Sequence, residues 1–113
     1  MNREIAIQYT DANTVYVNNQ LYSSEFDIFA GYTTESEATE LQISLPSDWD
    51  GTFSIGLKPQ DGSMTYTELT MDDDNSVDYD LPTQAVGQLE MVIKVVDSNT
   101  IITPPVYFKI DVL

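Results

Sequence analysis

The sequence predicts an all-β sandwich, two sheets stacked on one core. Three observations predict it. Apolar residues recur at every second position in short runs. Clusters of Asn, Asp, Gly and Pro separate those runs at intervals of about 8–12 residues. No long stretch places apolar side chains at helical spacing.

Ile5, Ile7 and Tyr9 alternate with Ala6 and Gln8, and Val15 and Val17 flank Tyr16. Asn18-Asn19 predicts a tight hairpin turn, because asparagine tolerates positive φ. Leu21 should start the return strand, with Phe26 and Ile28 extending it. The polar segment Ala30 to Glu37 reads as a loop. Leu41, Ile43 and Leu45 face one way and Glu40, Gln42 and Ser44 the other, a strand with one wet face. Pro46-Ser47-Asp48 breaks it and Asp50-Gly51 turns the chain. Phe53, Ile55 and Leu57 alternate with Thr52, Ser54 and Gly56. After the turn signal Pro59-Gln60-Asp61-Gly62, Met64 and Tyr66 share a face opposite Thr65 and Thr67.

Asp72-Asp73-Asp74-Asn75 is a polar turn, after which Val77, Tyr79 and Leu81 alternate with Asp78 and Asp80. Leu89, Met91, Ile93 and Val95 alternate with Glu90, Val92, Lys94 and Val96. Val92 and Val96 make the second face apolar too, which suits a central strand or one lying under a loop. Asp97-Ser98-Asn99 turns the chain, and Pro104-Pro105 gives the last strand a rigid entry that limits pairing. Val106, Phe108, Ile110 and Val112 then alternate with Tyr107, Lys109 and Asp111. Even alternation leaves each sheet one wet face, so the expected architecture is an immunoglobulin-like antiparallel sandwich of about seven to nine strands. The Cys-Trp-Cys signature of antibody domains is missing, which argues against that family and not against the architecture. Residues 1–113 are expected to form a single domain. Because the strand pattern runs to the last residue, it is expected to be the N-terminal domain of a longer chain.

The chain has no cysteine and no histidine. Disulfides and thiolate metal sites are excluded, as are the commonest metal ligand and the commonest general base near neutral pH. No run of about 18 apolar residues could span a bilayer as a helix, and the first residues lack the apolar stretch of a secretory leader. Nineteen acids against four bases (Arg3, Lys58, Lys94 and Lys109) give a formal charge of −15. Such a surface repels phosphate backbones and anionic headgroups, so neither nucleic acid nor membrane is an expected partner. A basic partner would be matched.

A calcium loop starting at Asp72 would need glycine where Val77 stands and glutamate where Thr83 stands. The cluster therefore reads as a solvated turn, and no metal or cofactor is expected. Asp48, Asp50 and Asp61 sit on turns, but a catalytic carboxylate pair needs a cleft that excludes water, for which so small a domain has little room. No serine or threonine has a histidine partner, and Lys58 and Lys94 belong on wet strand faces. No catalytic residue is expected. Three aromatics are candidates for an interaction surface: Trp49, Tyr32 and Tyr107. Trp49, between Asp48 and Asp50, either folds back as a plug over one end of the core or stands out as a stacking platform or interface anchor; the plug is favoured. Tyr16, Tyr32 and Tyr107 fall off the apolar registers, as in the exposed aromatic rows of sugar-binding sandwiches.

The runs Ser54-Ile55-Gly56-Leu57 to Asp61-Gly62, Val77 to Pro82, Gly87 to Val95 and Val106 to Val112 resemble the N-terminal domains of phage upper baseplate and related tail proteins, from phages of Gram-positive hosts. The resemblance covers roughly residues 40–113. It implies an immunoglobulin-like sandwich with no catalytic residues, located in the virion. It also implies partners among other tail and baseplate proteins, a role attaching receptor-binding parts to the tail core, and homo-oligomers of the full-length protein. The alternatives are a carbohydrate-binding module with a glycan ligand, or a bacterial surface adhesin domain.

Overall fold

The computed structural model describes residues 2–113, which hold eleven strands and no helix. In chain order these are β1 (Arg3–Asp11), β2 (Thr14–Val17), β3 (Gln20–Leu21), β4 (Ile28–Tyr32), β5 (Thr39–Ser44), β6 (Thr52–Pro59), β7 (Thr65–Leu69), β8 (Ser76–Asp80), β9 (Gly87–Val96), β10 (Thr100–Ile102) and β11 (Val106–Asp111). They form two sheets, ordered β3-β2-β1-β5-β8 and β4-β11-β9-β6-β7, with β10 also on β9. The sheets pack as a sandwich around the residues that the alternation placed inside: Ile5, Ile7, Leu41 and Ile43 from the first, Ile55, Leu89, Met91, Ile93, Val106 and Phe108 from the second.

The sheets are mixed where uniform antiparallel pairing was expected. β1 pairs parallel with β5, and β4 parallel with β11. Alternation specifies which face of a strand is wet but not the direction of its neighbour, so this was invisible in the sequence. The eleven strands exceed the seven to nine expected because β3 and β10 hold only two and three residues.

Asn18 and Asn19 take φ of 50° and 67°, and the hairpin closes as expected. Its return strand is shorter than expected and ends at Leu21, which is exposed. Phe26 is exposed as well, and Ile28 belongs to the other sheet. The expected loop also begins later: Ala30, Gly31 and Tyr32 are part of β4. Ala30 and Gly31 sit where β4 passes the first sheet, and alternation is lost there because both are buried. The Thr39 hydroxyl donates to the Ala30 carbonyl at 2.6 Å and accepts from Arg3 at 2.7 Å. Arg3 also pairs with Glu35 at 3.1 Å and lies 4.7 Å from the Phe29 ring centre. This cluster closes one end of the sandwich.

β9 is central, with β6 along one edge and β10 and β11 sharing the other. Its outward Val92 is buried because Tyr66 and Met64 from the β7 edge lie over Gly56, where a Cβ would meet both side chains. Met64 and Tyr66 thus share the outer face, while Leu69 turns inward. Val96 is exposed, and so is Val112, which follows the end of β11 instead of continuing its inward row. Gly51 turns the chain at φ 131°, where any Cβ would run into the Val96 carbonyl.

Pro104-Pro105 divides β10 from β11. Thr103 bridges the break: its N–H donates to the Ile93 carbonyl at 3.0 Å, and its hydroxyl accepts from the Ile93 N–H at 2.9 Å. The same hydroxyl reaches the Tyr9 phenol across the core at 3.4 Å. Burial raises Tyr9 from 10.0 to about 12, against a smaller lowering by the Thr103 bond.

Tyr9 therefore sets a prediction for alkaline pH. Below pH 10 both states keep the phenolic proton and stability is indifferent to it. Between pH 10 and about 12 the unfolded chain loses that proton while the folded one retains it, so stability falls as pH rises. Two units correspond to about 3 kcal/mol lost by the top of that window. Urea melts across it should show a shallower decline for Tyr9→Phe than for the parent; equal slopes would contradict the burial argument.

Candidate interaction surface

Trp49 is half-buried and packs against the core at the end of β5. A residue far along the chain holds it there. Asn75, in the turn before β8, takes φ of 58° and donates its side-chain amide to the carbonyls of Pro46 at 2.9 Å and Trp49 at 2.8 Å. Tyr32 lies at the opposite end of the sandwich, beyond the start of β5. It is half-buried, edge-on to Phe29 at 5.0 Å, and its N–H donates to Glu35 at 2.8 Å. That bond and then the Arg3 guanidinium hold the Glu35 carboxyl below its usual range. Tyr107 is on the outer face of the second sheet, opposite Glu90, and its N–H donates to the Tyr22 hydroxyl at 2.9 Å. Desolvation, then the Glu90 charge, raises its phenol. The three aromatics thus occupy two opposite ends and one flat face, and no common platform joins them.

The carboxylates on turns are equally dispersed. Asp48 and Asp50 precede β6 and Asp61 follows it, all exposed. A strand of eight residues separates them by roughly 26 Å at ~3.3 Å per residue, far beyond a carboxylate pair flanking one glycosidic bond. In the Asp72–Asn75 turn, the Ser76 hydroxyl donates to Asp74 at 2.6 Å, the Asp72 N–H to the Ser76 carbonyl and the Asn75 N–H to the Asp72 carbonyl. These bonds make a closed turn. Among the described residues no three acidic side chains converge at metal-ligand spacing.

Charge, by contrast, is organised. All three lysines lie on the outer face of the second sheet: Lys94 over the Tyr66 ring at 4.7 Å, Lys109 near Asp27 and Asp111 at 3.9 and 3.7 Å, and Lys58 opposite Glu90. Among the described residues, the outer face of the first sheet carries no lysine or arginine. The register sets Glu4 beside Glu40 and Glu40 beside Asp80, with Asp78 one row away. Like charges directly opposite one another destabilise a sheet. The Gln42 amide relieves part of this by donating to Glu4 at 2.6 Å and to Glu40 at 3.1 Å. This row escaped the sequence reading because the parallel pairing of β1 with β5 creates it. Several grooves open on the surface. One of about 440 Å³ lies between Tyr9, Leu21, Tyr22 and Pro104-Pro105, and another of about 300 Å³ between β7 and β8.

No family model matches the chain, and no curated protein matches it in sequence. A solved structure, the N-terminal domain of phage TP901-1 ORF48, shares its fold with a TM-score of 0.55 and 10% sequence identity, over 97% of this chain and 98% of that one. At this identity the likeness is one of fold. It spans the whole sandwich, including the first 40 residues, to which the sequence resemblance did not extend.

The Asn75 contacts predict how Trp49 is held. Asn75→Gly keeps the left-handed φ and loses both side-chain bonds, at a cost of about 1–2 kcal/mol. Asn75→Ala loses the bonds and adds backbone strain, about 1 kcal/mol more. Both should shift Trp49 emission to the red, as water gains access. Unchanged emission with unchanged melting would show that Asn75 does not hold the loop.

Proposed function

We propose that this domain is a non-catalytic structural adaptor of a phage baseplate or tail, which joins receptor-binding parts to the tail core during virion assembly. The observation that carries the reading is the end-to-end fold likeness to the N-terminal domain of a phage TP901-1 protein. The dispersal of the carboxylates supports the absence of catalysis, since reactive groups must converge to act. In this reading residues 1–113 are the N-terminal domain of a longer, oligomeric chain that meets other virion proteins through strand edges and loops.

The carbohydrate-binding alternative draws on exposed aromatics. It gains no support from the positions of Trp49, Tyr32 and Tyr107, which form no single aromatic row.

Co-expression of the full-length protein with the products of neighbouring genes tests the proposal. A stable complex with at least one tail or baseplate protein is expected, and failure to associate with any of them would refute it. Host cell-wall polysaccharide should leave Trp49 fluorescence unchanged. A saturable change that Trp49→Ala removes would favour the glycan reading instead.

A further inference from the structure

We propose that the open edge of β8 docks an extended, basic segment of a partner protein, which joins the first sheet as a sixth strand. The inference deepens the assembly reading and rests on it for the partner being another protein.

The backbone carries the argument. Leu45 N–H donates to the Asn75 carbonyl at 2.9 Å, and Leu81 N–H to the Thr39 carbonyl at 2.8 Å. With Ile43 opposite Val77 and Leu41 opposite Tyr79, these bonds turn the backbone groups of Val77 and Tyr79 toward β5. The N–H and C=O groups of Asp78 and Asp80 therefore face away from the sheet. The Ser76 carbonyl is already taken by Asp72 at 2.8 Å, which marks where an added strand must stop. The edge has no proline, lysine or bulge between Ser76 and Asp80, three of the devices that protect a free edge.

The side chains set the chemistry of the occupant. Outward-facing Asp78 and Asp80, backed by Glu40 and Glu4 in the neighbouring strands, make a face without lysine or arginine among the described residues. An added strand with Lys or Arg at alternate positions would place them beside Asp78 and Asp80, spaced about 7 Å apart as in any strand, and would offset the repulsion along the row. On the inner side Val77 and Tyr79 are only half-buried, and Tyr79 lines the groove of about 300 Å³ that opens toward β7. Apolar residues at the intervening positions would finish covering them. The segment is therefore an alternation of basic and apolar residues. Other edges fit it less well. β3 has two residues, β4 has its Ala30 carbonyl bonded to Thr39, and β7 carries a single acid, Glu68, with Lys94 over its Tyr66.

The test is titration of the domain with a synthetic peptide of about ten residues alternating lysine with valine. One control alternates glutamate with valine, and another groups the same lysines and valines in blocks. Affinity is read from the anisotropy of labelled peptide, and location from amide hydrogen exchange. The alternating basic peptide should bind about tenfold more tightly than either control, weaken with added salt, and slow exchange at Asp78 and Asp80. Asp78→Asn with Asp80→Asn should lower its affinity about tenfold. Asp78→Pro removes an outward N–H without touching the β5 ladder and should abolish binding in a domain of unchanged circular dichroism; if that variant loses its fold, the asparagine pair carries the test alone. Equal binding of the acidic peptide, or protection at another edge, would overturn the proposal. The peptide contains no phage sequence, so its failure is distinct from a failure to co-purify with tail proteins.

Discussion

The central strand β9 is buried along its inner face and at Val92 on its outer face, and the sandwich is arranged around that requirement. Leu89, Met91, Ile93 and Val95 point into the core, and Val92 is buried on the other side beneath Tyr66 and Met64. A strand whose middle is cut off from water needs hydrogen-bond partners along both edges. β6 supplies one edge from Leu89 to Val96. The other edge is supplied in two pieces, and Thr103 joins them by giving its N–H and lending its hydroxyl to the same residue, Ile93. Because that hydroxyl also meets Tyr9, the repair of one sheet becomes a polar contact with the other. Pro104-Pro105 is tolerated only because this substitution leaves no donor of Ile93 stranded.

How much of this was legible varies by residue. Ile5, Ile7, Leu41, Ile43, Ile55, Leu89, Met91 and Phe108 could be assigned to the core from alternation alone, since burial of one face imposes a period of two. Asn18-Asn19 could be assigned because few residues accept its backbone angles. Leu21 and Phe26 misled because an apolar residue is not obliged to be inside, and nothing local marks the point where the chain leaves one sheet for the other. Ala30 and Gly31 looked like loop because the closeness of β1 and β5, set by residues distant in sequence, is what makes small side chains necessary there. The same holds at the surface. Trp49 could be singled out by type, but its posture depends on Asn75, 26 positions later. The row Glu4, Glu40 and Asp80 exists only once three strands are set side by side.

The division of charge between the two faces has a geometric consequence for any ring built from copies of this domain. Rotational symmetry presents each copy's surface to its neighbours in the same orientation. Two carboxylate-bearing faces pressed together within about 8 Å would repel with little help from counter-ions at physiological ionic strength. Such a ring must turn those faces away from its own axis, set each against a different face of the next copy, or close around a hub whose charge is opposite. The disposition of four carboxylates thus restricts the orientations in which the domain can be multiplied.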